Sequence, residues 1–277
     1  MSSSIFYPKK RLGQSFLIEK NITQKIIKAA SLDSDSIVLE IGPGKGILTQ
    51  ELCFNAKEVI AVEIDSKLYE TLKMGLSDIG NLRLLNQDIL ALDLKKLLRK
   101  IGIRRKISIV ANIPYRITTP ILEYVFKNIE LLTGVYLMVQ REFALRLVAR
   151  PDTKEYSSIT CFTQFHCEPK LLFPVKRTCF RPQPRVDSYF IKLSVRERSQ
   201  YLKLIKPGNS ELLFKVVNTA FSQRRKRILN SLSRFIEKDK LFTILSKLEI
   251  DSNLRAENLS LKDYMRITSE FSRITDL

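Results

Sequence analysis

A chain of 277 residues, 44% of them apolar, can bury a large core, either as one domain or as a main domain with a small second one. Its 47 Lys and Arg against 29 Asp and Glu leave a net charge of +18, which favours a polyanionic partner, nucleic acid first and an anionic membrane surface second. One histidine and four cysteines with no C-x-x-C pair argue against a zinc site or a disulfide framework, so no metal is expected. No apolar run has the length of a membrane span and the N-terminal residues lack a signal-peptide core, so no membrane association and a cytoplasmic location are expected.

The first element is a helix over residues 22–30, with Ile22, Ile26, Ile27 and Ala30 at helical spacing. Short runs rich in Val and Ile then alternate with helical patterns. Strands are predicted at 36–41, 58–62, 82–85, 107–111 and 134–139, and helices at 47–54, 68–76, 94–101 and 120–126. Such alternation predicts a doubly wound parallel sheet. After a helix at 141–148 the pattern changes: 157–165 reads as helical or mixed, and 170–173 and 189–194 read as two more strands. Between them Phe180-Arg181-Pro182-Gln183-Pro184-Arg185 reads as a stiff, basic, extended loop. Lys206-Pro207-Gly208-Asn209 reads as a linker, followed by helical patterns only, at 212–221, 228–235, 240–248 and 261–271. The predicted division is an α/β domain over 1–206 and a small all-helical domain over 207–277, near the lower size limit for independent stability.

The strand ends carry the chemistry. The first runs into Glu40-Ile41-Gly42-Pro43-Gly44-Lys45-Gly46, where Gly42 and Gly44 allow a tight turn and close approach of a ligand. The spacing G-x-G-x-G, not G-x-G-x-x-G, favours a nucleoside without a pyrophosphate, although a plain turn also uses such glycines. The second strand ends in Val62-Glu63-Ile64-Asp65. Glu63 stands where an acidic side chain accepts both hydroxyls of a ribose, a feature shared with NAD enzymes, and Asp65 reads as a helix cap. Asp88, after the third strand, reads either as an acceptor for an adenine amino group or as a turn aspartate. The fourth strand leaves through Asn112-Ile113-Pro114-Tyr115. The Asn112 side chain and the Pro114 carbonyl offer two acceptors for an exocyclic amine, and Tyr115 offers a face for stacking a base; the competing reading is a proline turn at a helix start. Order favours the functional reading, because these groups fall at the carboxyl ends of four successive strands, on one rim.

This series resembles the class I S-adenosylmethionine-dependent methyltransferases, and the tetrapeptide at 112–115 resembles their N/D-P-P-Y motif for methylating an amino nitrogen. The resemblance narrows through four further stretches. Lys10-Arg11-Leu12-Gly13-Gln14-Ser15-Phe16-Leu17 is similar to R-x-G-Q-N-F-L, and Phe180 to Ser188 to F-x-P-x-P-x-V-D-S. Ala220-Phe221-Ser222-Gln223-Arg224-Arg225-Lys226 is similar to A-F-x-Q-R-R-K, and Arg255-Ala256-Glu257-Asn258-Leu259-Ser260 to R-A/P-E-x-L-S/T. Together they resemble the KsgA-type small-subunit rRNA adenine dimethyltransferases.

The resemblance implies a Rossmann-like methyltransferase sheet with a small all-helical C-terminal domain, and S-adenosylmethionine as cofactor. It implies N6,N6-dimethylation of two adjacent adenosines near the 3′ end of small-subunit (16S) rRNA, in free rRNA or a pre-30S particle, contributing to small-subunit biogenesis; a monomer is expected. It places Ser15, Leu17, Gly42, Gly44, Glu63, Asp88 and Asn112 against the cofactor; Ser15 stands where the family usually has a longer Asn. Asn112 and Pro114 would accept from adenine N6, while Tyr115 and Phe180 would stack on the two faces of a flipped base. Arg224-Arg225-Lys226-Arg227, with Arg181, Arg185, Lys9, Lys10 and Arg11, would frame an RNA path, although Arg225 also reads as a partner for Glu257. His166, between Phe165 and Cys167, reads as a packed residue. The alternatives are an Erm-type large-subunit rRNA adenine methyltransferase and a non-catalytic rRNA-binding assembly factor. The two C-terminal stretches favour the small-subunit enzymes, and intact Gly42, Glu63, Asp88 and Asn112 favour catalysis.

Overall fold

The computed structural model describes residues 14–196 and 209–274. Lys9, Lys10 and Arg11, the linker residues 206–208, and the boundary expected between 206 and 207 lie outside these ranges. In chain order the first part comprises β1 (Phe16–Leu17), α1 (Lys20–Ala30), β2 (Ile37–Ile41), α2 (Ile47–Asn55), β3 (Glu58–Glu63), α3 (Ser66–Gly75), β4 (Leu82–Asn86), α4 (Leu94–Lys100), β5 (Ile107–Asn112), α5 (Thr118–Lys127) and β6 (Leu132–Gln140). There follow α6 (Arg141–Leu147), α7 (Ser158–His166), β7 (Cys167–Val175), β8 (Phe180–Arg181) and β9 (Ser188–Val195). The last helices are α8 (Ser210–Ser222), α9 (Ile228–Leu232), α10 (Lys238–Lys247) and α11 (Leu261–Ile274).

Seven strands form one sheet in the order β4-β3-β2-β5-β6-β9-β7. The pairs β2–β3, β3–β4, β2–β5 and β5–β6 are parallel, and β6–β9 is antiparallel. Every residue of β2 is buried, as a strand covered on both faces requires. Val38, Val110 and Met138 share one apolar cluster with Ile26 of α1 and Leu48 and Leu52 of α2. Strand order reverses between β2 and β5, so the loops that leave these two neighbours diverge and open a crevice at their carboxyl ends.

A second, two-stranded ladder was not legible in the sequence. β1 pairs antiparallel with β8, Leu17 opposite Phe180 and Phe16 opposite Arg181. Strands of two residues carry no period to read, and the extended basic loop expected at 180–185 is in part this strand.

Among the described residues, contacts divide the chain into two compact units: one takes the residues up to Ala144 with Lys170–Val195, the other Leu145–Pro169 with the residues from Arg196 onward. The second unit is thus discontinuous in sequence, unlike the division by chain order at 206/207. Its core explains why. Tyr156 and Cys161, from before and within α7, are fully buried among Leu213, Val217 and Ala220 of α8 and Tyr264 and Met265 of α11. Leu213, Val216, Val217 and Ala220 recur at helical spacing and form the buried stripe of α8. His166 lies edge-on to Phe165 and tilted against Phe214, a packed position as expected. No helix among the described residues is long and apolar enough to cross a membrane.

Candidate active site

The crevice at the switch point is a cavity of about 380 Å³ within the first unit. Its wall begins at the glycine loop. The Gly42 N–H donates to the Val62 carbonyl (2.9 Å), which ties the loop to the end of β3, and the Gly46 N–H closes a turn onto the Pro43 carbonyl (2.9 Å). Gly44 has φ +60°, and a Cβ there would stand 2.8 Å from Cδ1 of Phe16. Glycine is required at this point because β1 lies directly over the loop. Lys45 places its ammonium 5.6 Å from the centre of the same Phe16 ring.

Glu63 ends β3 almost fully buried, with a backbone donor on each oxygen: the Gly44 N–H on Oε2 (3.2 Å) and the Asp65 N–H on Oε1 (2.8 Å). Burial raises its pKa, and the two backbone donors oppose that rise. Each carboxylate oxygen keeps a second lone pair, so the group can still accept a vicinal diol. Asp65 caps α3 through the Lys67 N–H (3.1 Å), as the sequence suggested. Asp88 does what its turn reading required, accepting from the Leu90 N–H with Oδ1 (2.9 Å), and it also lines the cavity, with Oδ2 left to meet a ligand.

Asn112 is the last residue of β5. Its Nδ2 donates to the backbone carbonyl of Ser15 (3.2 Å), which leaves Oδ1 as the acceptor. Ser15 therefore engages the site through its main chain, a contact that does not depend on whether Ser or Asn occupies the position. The Pro114 carbonyl accepts from the Ile117 N–H (3.2 Å) and retains a lone pair. Tyr115, half-buried, sends its hydroxyl to Oγ of Ser188 (2.5 Å). Ser15, Leu17, Gly42, Gly44, Glu63, Asp88, Asn112, Pro114 and Tyr115 all line the one cavity.

Phe180 does not join them. It is fully buried, packed with Leu17, Ile26, Met138 and Phe190, because pairing with β1 turns it into the core. The second stacking face expected of Phe180 is absent from this arrangement. Sequence reasoning also passed over Glu40. It sits inside β2, 2% exposed, on the cavity wall, and its Oε2 has no hydrogen-bond partner among the described residues. Burial, reinforced by the Glu63 charge, pushes its carboxyl up to about 8. The signal was available: one carboxyl interrupts an otherwise apolar buried strand.

In the second unit, Arg224 holds the structure. Its Nη2 reaches the carbonyls of Lys154 (3.1 Å) and Tyr156 (3.0 Å) and Oε2 of Glu257 (2.9 Å). The partner of Glu257 is thus Arg224, not Arg225. Arg225, Lys226 and Arg227 are exposed, as are Arg181 and Arg185 in the first unit.

The chain is 37% identical over 264 residues to the ribosomal RNA small subunit methyltransferase A of Alkaliphilus metalliredigens (strain QYMF), across 94% of this chain and 91% of that one. It is 39% identical over 257 residues to the protein of the same name from Clostridioides difficile (strain 630), across 92% and 88%. The crystal structure of a dimethyladenosine transferase from Plasmodium falciparum superposes with a TM-score of 0.77 at 28% identity, covering 93% of this chain and 98% of that one. That of the 23S rRNA methyltransferase ErmE gives 0.69 at 26% identity, covering 93% and 99%. The model of one family, ribosomal RNA adenine dimethylase, matches residues 5–273. That span takes in both compact units, and the chain belongs to the ribosomal RNA adenine dimethylase family.

Proposed function

We propose that this chain transfers methyl groups to adenine N6 in small-subunit rRNA, dimethylating two adjacent adenosines near the 3′ end of the 16S molecule during small-subunit biogenesis. It acts in the cytoplasm as a monomer, on rRNA or a pre-30S particle. The observation that carries this reading is Asn112: its amide is fixed through Nδ2 to the Ser15 carbonyl, so an acceptor oxygen stands ready beside a nucleoside-sized cavity. Full-length identity to small-subunit enzymes favours this substrate over the large-subunit rRNA of the ErmE-like alternative.

The residues present fit S-adenosylmethionine. Glu63 can accept a ribose diol and Asp88 an adenine amine, the Gly44 backbone approaches where a Cβ would be blocked, and the orphan oxygen of Glu40 suits a cationic ligand. Bound there, the cofactor supplies an electrophilic methyl on a sulfonium leaving group. The protein's task is then alignment and the handling of charge on the nucleophile.

The N6 lone pair of adenine is delocalised into its ring. Asn112 Oδ1 and the Pro114 carbonyl accept the two N6–H bonds, which favours a pyramidal nitrogen and disperses the positive charge that develops on it. No strong general base is needed, because the proton becomes acidic only as the methyl arrives; the single histidine packs against Phe214 and has no part in this. Tyr115 stacks on one face of the extruded base, an interaction worth roughly 1–3 kcal/mol. Ser15 contributes its carbonyl and Leu17 an apolar wall. Arg225, Lys226 and Arg227, with Arg181 and Arg185, contact phosphates.

Mass spectrometry of rRNA from cells with and without this chain tests the reading. The dimethylated adenosine pair of 16S rRNA should vanish with the chain, and purified protein should restore it on undermethylated 30S particles. An unchanged pair overturns the proposal, and a change confined to 23S rRNA hands the case to the large-subunit alternative.

A further inference from the structure

A base stacked on Tyr115 is only as well aligned as the tyrosine ring itself. That ring projects from a short 3₁₀ turn, Tyr115–Ile117, beyond the last residue of β5. The turn fixes the main chain, but a half-buried tyrosine still has two side-chain torsions to set. Phe180, withdrawn into the core, supplies no second ring to clamp a base from the other side. What holds the Tyr115 ring is its hydroxyl, 2.5 Å from Oγ of Ser188.

Ser188 is well placed to be a fixed point. It is fully buried and is the first residue of β9, opposite Gln140 in the antiparallel ladder with β6. The residue before it is tied down twice: the Asp187 carbonyl accepts from the Arg141 N–H (3.0 Å), and Asp187 Oδ1 accepts from the Arg177 N–H (2.9 Å). Burial raises the Tyr115 pKa while the Ser188 bond opposes that rise, so the phenol keeps its proton at neutral pH and either oxygen can donate. Tyr115 and Ser188 lie 73 residues apart, and their bond joins the turn after β5 to the frame at the ends of β6 and β9.

We infer that Ser188 is a positioning residue for methyl transfer: its buried hydroxyl sets the tilt of the Tyr115 ring, and with it the plane in which the target adenine presents N6 to Asn112 and Pro114. The inference rests on the reading that Tyr115 stacks the target base. Phenylalanine at 115 would keep the stacking area and lose the tether, which separates the two roles.

The test is a double-mutant cycle of Ser188→Ala and Tyr115→Phe, read as kcat and KM on undermethylated 30S particles, with melting curves for each variant and Tyr115→Ala as reference. Each single change should lower kcat about 10-fold, since small misplacements near the chemistry cost up to about 10²-fold. KM for particles should stay within about twofold, and the double variant should be no slower than either single one. Independent, multiplying losses overturn the inference, as does a Ser188→Ala effect confined to KM or an unchanged kcat. Should Ser188→Ala fail to fold, Tyr115→Phe alone decides: full kcat sinks the tether, and reduced kcat at unchanged KM sustains it. Full activity in Tyr115→Ala would instead sink the stacking reading itself, whatever Ser188 does.

Discussion

The two compact units use their charged groups in opposite ways. In the first, two carboxyls lie buried on a cavity wall; Glu63 is held by two backbone N–H groups, and Glu40 keeps an oxygen with no partner among the described residues. In the second, the corresponding groups are tied into loops. Arg224 bridges two carbonyls and Glu257, and Asn258 Nδ2 donates to Asp152 Oδ1 at 2.7 Å. Arg225, Lys226 and Arg227, which follow Arg224, stand at the surface. The carboxyl oxygen without such a partner lies at the cavity wall, whereas the paired charges hold a shape. The first unit keeps that carboxyl at the cavity, and the second ties Arg224 down while Arg225, Lys226 and Arg227 stand exposed.

Four substitutions would sharpen or break that contrast. Asn112→Ala removes an acceptor from the chemical unit and should cost about 10²–10³-fold in single-turnover methylation, on the scale of losing one preorganised transition-state contact. An unchanged rate would remove Asn112 from the mechanism. Glu40→Gln tests the unsatisfied carboxyl through stability. Unfolded, Glu40 ionises near its ordinary 4.5, whereas folded it holds its proton to about 8. The stability it contributes is therefore complete below pH 4.5 and lost as pH rises toward 8. In the ligand-free protein Glu40→Gln should match the parent at pH 4 and exceed it at pH 8 by an amount on the order of several kcal/mol, at about 1.4 kcal/mol per unit of separation. Melting curves across that range are the check, and a difference independent of pH would show that ionisation is not the issue.

The smallest effects belong to the second unit, where neighbouring arginines should behave differently. Arg224→Ala should destabilise by about 1–2 kcal/mol, its three bonds being partly screened by solvent. Arg225→Ala should leave stability within about 0.5 kcal/mol, yet reduce the slope of log affinity against log salt for rRNA by about one. Equal effects of the two changes in both measurements would erase the distinction drawn between structural and displayed charge.

Much of the rim was readable because a parallel sheet brings the ends of its strands to one side. Once 37–41, 58–63, 82–86 and 107–112 are strands, Gly42, Glu63, Asp88 and Asn112 have to be neighbours. What escaped reading depended on partners distant in sequence or on local phase. Phe180 belongs to a basic, proline-rich stretch that reads as exposed, and only pairing with Phe16 and Leu17 turns it inward. Glu40 was masked by the apolar run around it. Arg224 and Arg225 are adjacent, but α8 ends at Ser222, so helical phase could not say which of them faces Glu257. The tie between Tyr115 and Ser188 joins two segments that have no local pattern in common.

The ladder of β1 and β8 also has a meaning in time. The cavity's cover lies near the start of the chain, and the strand that secures it comes after residue 179. At ribosomal speeds of about 5–20 residues per second, roughly 10–30 s of synthesis separate Leu17 from Phe180. Once residue 112 has been made the glycine loop and the four strand ends can assemble, but until residue 181 follows, the segment that overlies Gly44 has no partner strand. Cofactor retention should therefore switch on late, on ribosomes stalled at successive lengths, as a step once residue 181 has left the ribosome and not as a gradual gain.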